Sequence, residues 1–269
     1  MLKTLKFSWF DISRKMVGFI FDKLVLTAVL FIVAVSITPE TVFEENSSTK
    51  VIILALSMSC LLRGLINASI STEINSKAID IENQTLSTGQ YLLSKVFEIV
   101  FFSIIESLIS SIIIIYKFED IINTEGTQLY SLRIDIFLIV CLTIISSSAI
   151  GLLISIIFKE KNFVISTIVI LLNLLLSGTI FQVSGIMDSI SRFTICRYAA
   201  AYLGAAFNLN EIPSAIKIEY PFVEQPINEV FLSTTNNMTM SLKALIAIFA
   251  VSFAACYPTL NVIMKKRSR

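Results

Sequence analysis

The chain contains no histidine. That absence excludes HExxH zinc sites, Ser-His-Asp triads and histidine-based intramembrane proteases within this chain. It also has no GxxxxGK[ST] phosphate loop, so it binds no ATP through a P-loop of its own. Four cysteines are present (Cys60, Cys141, Cys196 and Cys256), and they show no CxxC or other metal-ligand spacing. Three of them fall inside apolar runs, where they read as small apolar residues and not as disulfide or metal partners. Charge is scarce at 15% of residues, and the net charge is only +1. The basic tail at Lys265, Lys266, Arg267 and Arg269 lies beside a span, where it is the usual cytoplasmic anchor, so no nucleic-acid partner is expected.

What the chain has instead is hydrocarbon. It is 55% hydrophobic, with a mean hydropathy of +0.82. Six long apolar runs lie at 19–38, 51–71, 96–116, 134–158, 163–183 and 242–264. Each is close to the ~20 residues a helix needs to cross ~30 Å of lipid at 1.5 Å per residue. A lipid-spanning segment satisfies its own backbone hydrogen bonds, so the runs predict helices. The predicted fold is an all-α membrane protein of one domain, 1–269, with six transmembrane helices and little outside the bilayer. The run near 24–37 resembles a signal-peptide core, but the charged stretch before it is long and Asp22 and Lys23 interrupt it. It is therefore read as a retained span.

Charge sets the orientation. Lys3, Lys6, Arg14 and Lys15 precede the first span, and Lys265, Lys266, Arg267 and Arg269 follow the last. The positive-inside rule puts both termini in the cytoplasm. The loop at 39–49 carries Glu40, Glu44 and Glu45 without a cation, and the next acidic loop carries Glu119, Asp120 and Glu125, so both fall outside. Lys159 and Lys161 mark an inside turn. Leu2, Leu5, Trp9, Ile12 and Met16 recur at helical steps, which fits an amphipathic helix lying in the cytoplasmic interface; the alternative is a frayed tail.

Two connections stand out. The segment 72–95 is the longest inside connection and reads as two short helices with a turn near 84–89, where Ser87 or Thr88 starts the helix entering span 3. The region 184–241 is the largest outside segment. Its first part, 186–207, is apolar but holds Arg192 and Arg197, which is too much charge for a seventh span. It predicts a pair of short re-entrant helices packed on protein. The second part, with Pro213, Pro221 and Pro226, predicts an ordered loop. Asn237-Met238-Thr239 matches a glycosylation acceptor, a weak three-residue pattern in a sequence whose Ile, Asn and Lys usage looks bacterial.

Polar groups inside the spans are the candidate functional residues. Ser59, Arg63, Asn67 and Ser71 recur every four residues of span 2 and form a slowly drifting stripe. Arg63 lies roughly 12 Å from the inner end of its span, where an unpaired guanidinium costs about 2.5–3.5 kcal/mol. Span 3 offers Glu98 and Glu106 at depths that bracket it. The pair is therefore Arg63–Glu106 or Arg63–Glu98, and it acts either as a charge relay that moves during transport or as a static link between helices. Ser146, Ser147, Ser148 and Gly151 on span 4 are small, which favours close helix packing. Asn173 on span 5 sits among leucines and either faces a cavity or bonds another helix.

The segment before span 3, with Glu73, Ile74, Lys77, Glu82 and Gly89-Gln90-Tyr91-Leu92-Leu93-Ser94-Lys95, resembles the ABC-2 type permeases, closest to the ABCG-like branch. Leu176-Ser177-Gly178-Thr179-Ile180-Phe181 and the following 186–198 resemble that family's end of span 5 and its outer re-entrant helices. The resemblance implies a non-enzymatic membrane subunit of an exporter in the plasma membrane. It implies pairing with a second permease subunit, identical or not, and docking on a separate cytoplasmic ATPase that holds the ATP and Mg2+. It implies an ATPase-coupling surface at Glu73, Lys77, Asp80, Glu82 and Gly89. It also implies a translocation path along spans 2 and 5, including Ser59, Asn67, Asn173, Leu174, Leu175 and Leu176, with the leucines near an apolar gate. Such a path favours a lipid-like, peptide or drug-like amphipathic cargo. The competing reading is an ATP-independent secondary transporter or channel that uses Arg63 and Glu106 as its coupling site.

Overall fold

The computed structural model describes residues 24–36, 43–71, 87–118, 128–158, 161–181, 183–222, 224 and 227–267. The expected amphipathic helix at 1–15, most of the coupling segment with Glu73, Lys77, Asp80 and Glu82, and the acidic loop at 119–127 lie outside these residues. The described elements are α1 Leu24–Ser36, α2 Asn46–Ser71, α3 Thr88–Phe118, α4 Leu132–Ile157, α5 Asn162–Leu176, α6 Ile186–Ser191, α7 Ile195–Ala206, α8 Ala215–Glu219, a 3-10 turn Glu229–Phe231, and α9 Thr235–Arg267. Among the described residues the fold is all-α.

Four of these helices are long and apolar enough to cross a membrane: Asn46–Ala68, Thr88–Phe118, Leu132–Ile157 and Thr235–Val262. The surface of α3 shows which solvent they suit. Its outward positions are apolar and exposed at Leu93, Phe97, Ile104, Leu108 and Ile112, while its inward face carries Ser103, Glu106, Ser107, Ser110 and Ser111. That is the reverse of a helix in water. A face of this kind is stable only where the surroundings are as apolar as the side chains. The chain is thus a multi-helix bundle with membrane-protein character.

Two runs depart from the expected length. α5 ends at Leu176, not near 183, and spans only roughly 22 Å at 1.5 Å per residue. Gly178 takes φ +79°, a left-handed conformation that breaks the helix. The hydroxyls of Ser177 and Thr179 then pair at 2.6 Å, and Ser177 Oγ accepts from the Thr179 N–H, so the turn satisfies itself. The described part of the first run, α1, is also short. Conversely α3 starts at Thr88, eight residues before its apolar run. Ser87 is its N-cap: the Ser87 N–H donates to Gln90 Oε1 at 3.1 Å and the Gln90 N–H donates back to Ser87 Oγ at 3.3 Å. This reciprocal capping box places Gly89 in the first turn of a membrane helix and not in a loop.

α4 is the axis of the bundle, with α2, α3, α7 and α9 packed around it. Its contact with α2 is unusually close. A Cβ on Gly64 would lie 1.8 Å from Ser147 Oγ and 2.6 Å from the Ile144 carbonyl, and one on Gly151 would lie 2.6 Å from Ala68 Cβ. Cys60, Gly64 and Ala68 on α2 therefore face Ser147 and Gly151 on α4 as two rows of small residues at four-residue steps, the arrangement that lets helix backbones approach in lipid. Ser147 Oγ also lies 3.3 Å from the Cys60 carbonyl across the seam. The packing role expected for the span 4 serines holds for Ser147 here. Ser146 Oγ adds a 2.9 Å bond to the Leu245 carbonyl of α9.

Candidate functional site: a buried charge pair between two long helices

Arg63 comes from the middle of α2 and Glu106 from the middle of α3. Their side chains meet at 2.6 Å between Nη2 and Oε1, and both are fully buried. Asn67, one turn after Arg63, donates its Nδ2 to the other carboxylate oxygen, Oε2, at 2.5 Å. Both carboxylate oxygens are thus occupied by donors from a single face of α2. The four-residue spacing of Arg63 and Asn67 is what allows it. Of the two partners open to Arg63, the structure selects Glu106. Glu98 is instead held by Lys95 at 2.6 Å, three residues before it on the same helix, near the start of α3.

The pair is not alone in its polarity. Asn67 Oδ1, Ser103 Oγ and Ser111 Oγ are buried with no hydrogen-bond partner. Ser103 sits one turn before Glu106 on the same face. Buried hydroxyl and amide oxygens without partners are costly to keep dry. They make the surroundings of Glu106 able to receive a water.

The remaining candidate residues are dispersed. Ser59 is half-buried on α2, and Gly89 lies at the start of α3, where a Cβ would be 3.8 Å from the Tyr257 ring of α9. Asn173 is buried and spent inside the protein. Its Oδ1 accepts from the Cys196 N–H at 3.0 Å and its Nδ2 donates to the Val169 carbonyl at 2.9 Å. The N-cap of α7, Thr194, makes no side-chain cap bond, so Asn173 supplies the missing acceptor from a neighbouring helix. Of the two roles open to this amide, the structure shows the helix-to-helix bond. Replacing Asn173 with leucine is expected to cost about 1–2 kcal/mol, the loss of one N-cap acceptor. A lowered melting temperature in detergent checks it. Leu176 is buried, Leu174 half-buried and Leu175 half exposed; Val164, Ile168, Leu171 and Leu172 are exposed along the same helix.

Sequence reasoning missed one buried group. Asp135, in the first turn of α4, is fully buried; Tyr202 of α7 donates to its Oδ1 at 2.9 Å and the Leu129 N–H to its Oδ2 at 3.0 Å. The signal was a carboxylate just inside an apolar run that begins at 134, where the helix dipole favours negative charge. Asn237 is a poor glycosylation acceptor, because its Nδ2 donates to the carbonyls of Val230 and Leu232 within the first turn of α9. No family model matches the chain, and no curated protein matches it.

Proposed function

We propose that the chain is the membrane-spanning subunit of an ABC-type exporter, driven by a separate cytoplasmic ATPase, with α1 and α5 completing six spans and two such subunits forming the path. The observation that carries this reading is the buried Arg63–Glu106–Asn67 link. α2 and α3 flank the segment 72–86, and the link ties them together at mid-height. A push delivered between the two helices moves them as one body, since separating them would strand a charge in a low-dielectric interior. The capping box extends α3 rigidly to Ser87, so force on the preceding residues reaches the helix directly. In this reading Glu73, Lys77, Asp80 and Glu82 meet the motor, and the cargo is lipid-like, peptide or drug-like.

The test is biochemical. The tagged chain, purified from its native membrane, is expected to bring with it a P-loop ATPase whose turnover responds to cargo. Glu82→Ala lowers that response several-fold, on the order of a lost charged contact, at unchanged membrane abundance. Cargo movement by the chain alone in sealed vesicles, without nucleotide, overturns the reading.

A second reading has one observation in its favour. The unpartnered Asn67 Oδ1 and Ser103 Oγ beside a buried carboxylate suit an ion or proton site of a secondary transporter or channel. Uptake driven by an imposed ion gradient, and abolished in Glu106→Gln, separates it from the first.

A further inference from the structure

At the end of the bundle where α5 stops, a cleft of about 720 Å³ opens between α6, α7, the 3-10 turn and the start of α9. Its charged lining is Arg192, Arg197, Asp188 and Glu229. Asp188 bridges the two guanidiniums, with Oδ1 2.7 Å from Arg197 Nη1 and Oδ2 3.0 Å from Arg192 Nη2. Arg197 is further held by Ser191 Oγ and by the Asp188 carbonyl, all through Nη1. The hydrogen bond from Arg197, with both cations nearby, keeps the Asp188 carboxyl below the usual carboxylate range. Asp188 therefore stays charged between them. Two cations on one anion leave an excess of positive charge on this wall. Arg192, 67% exposed, uses one nitrogen on Asp188 and presents the rest of its fork outward. Glu229 contributes the opposing negative charge, and the amides of Asn228 and Asn237 lie in the same lining.

Beside this balanced polar cleft the protein exposes hydrocarbon. Ile227 and Met240, at 66% and 57% exposure, line the cleft itself, and Ile186, Met187, Ile190 and Phe193 are exposed along α6 and the turn after it. Four large apolar side chains in eight residues, next to a charged cluster and the ends of apolar helices, mark a membrane-water boundary. Phosphate groups and acyl chains meet at that level.

We propose that this cleft binds a zwitterionic phospholipid, with its phosphate on the Arg192 and Arg197 forks, its amine toward Glu229 and its chains along Ile227 and Met240. Guanidinium forks match phosphate oxygens in pairs. The cation-anion division of the cleft matches a head group carrying both signs, and the apolar rim selects a lipid over a soluble phosphate ester. The site stands whether or not the chain is an exporter.

Native mass spectrometry of the intact chain in detergent tests it with dioleoyl phosphatidylethanolamine, dioleoyl phosphatidylglycerol, dioleoylglycerol and glycerophosphoethanolamine as probes. Phosphatidylethanolamine is expected to form the dominant adduct, and glycerophosphoethanolamine, which lacks chains, not to compete. Arg192→Gln lowers both phospholipid adducts about tenfold, the value of one charged hydrogen bond, and leaves dioleoylglycerol unchanged. Glu229→Gln removes the preference for phosphatidylethanolamine over phosphatidylglycerol. Both side chains are exposed, so neither substitution disturbs the core. Equal adducts in wild type and Arg192→Gln overturn the proposal. So does displacement by glycerophosphoethanolamine at equal concentration, which assigns the cleft to a soluble phosphate ester.

Discussion

Glu106→Leu is expected to destabilise the bundle by about 3–5 kcal/mol, the cost of leaving a buried charge without its counter-ion. Arg63 is fully buried, and its Nη2 bond to Glu106 Oε1 at 2.6 Å would be lost. Asn67 would lose its acceptor at the same time. Both contacts lie in the buried interior, so the desolvation penalty of the groups left behind appears. Arg63→Met is expected to be as damaging, because it strands the carboxylate. The double variant Arg63→Met, Glu106→Leu recovers most of the loss, since an apolar pair of similar volume replaces an ion pair at little net cost. Thermal denaturation of the purified chain in detergent reads all three. A double variant as unstable as either single one would show that the polar atoms around the pair, and not the pair itself, hold α2 against α3. The conservative Glu106→Gln then separates a static link from a working one. Transport that falls only in step with protein abundance marks a structural pair. Transport lost at normal abundance marks a group whose charge is used in the cycle.

Gly64→Leu is expected to prevent α2 from docking on α4, with little folded protein reaching the membrane. Even Gly64→Ala brings a Cβ to 1.8 Å from Ser147 Oγ, 2.7 Å from Ser147 Cβ and 2.6 Å from the Ile144 carbonyl. Overpacking of this kind costs about 1–3 kcal/mol after neighbours shift. Here one of the neighbours is backbone, which cannot rotate away. Ser147→Gly in the Gly64→Ala background removes two of the three close contacts and leaves the carbonyl, so rescue should be partial. Full rescue would mean that the helices can slide apart without loss, and wild-type stability in Gly64→Ala alone would remove the seam from the account. Because α4 is the axis around which α2, α3, α7 and α9 pack, a shift at Gly64 also displaces the Arg63–Glu106 contact made by the residue just before it. The two predictions are therefore coupled, and Gly64→Ala should weaken the measured interaction between Arg63 and Glu106.

Much of this was legible along the chain. The apolar runs announced the long helices because a helix in lipid must be apolar over its whole outward face, and that requirement is written locally. The depth of Arg63 and Glu106 followed from a fixed rise per residue, which reduced the partners of Arg63 to two. A helix start at Ser87 or Thr88 was readable because a cap is a local signal, and the reciprocal bonds of Ser87 and Gln90 decided between them. The pair of short helices after α5 was readable from an apolar stretch interrupted by Arg192 and Arg197. Other features were not. The choice of Glu106 over Glu98 depends on how α2 and α3 rotate about their axes, and spacing within one helix does not encode rotation relative to another. The end of α5 at Leu176 hangs on a left-handed Gly178 inside a run that remains apolar for several residues more. The role of Asn173 depends on a backbone N–H more than twenty positions away.

The sequence by itself determined that this is a helical bundle with apolar outward faces, and that any charge within it has to find a partner. Both follow from free energies of transfer, which depend on residue type and not on neighbours. Only the tertiary structure decided which partner each charge took, which serines became a seam, and which two arginines came to share Asp188 at the rim of a cleft. Those outcomes depend on distances of a few ångströms between segments remote in the chain, and close packing of helices is what sets such distances.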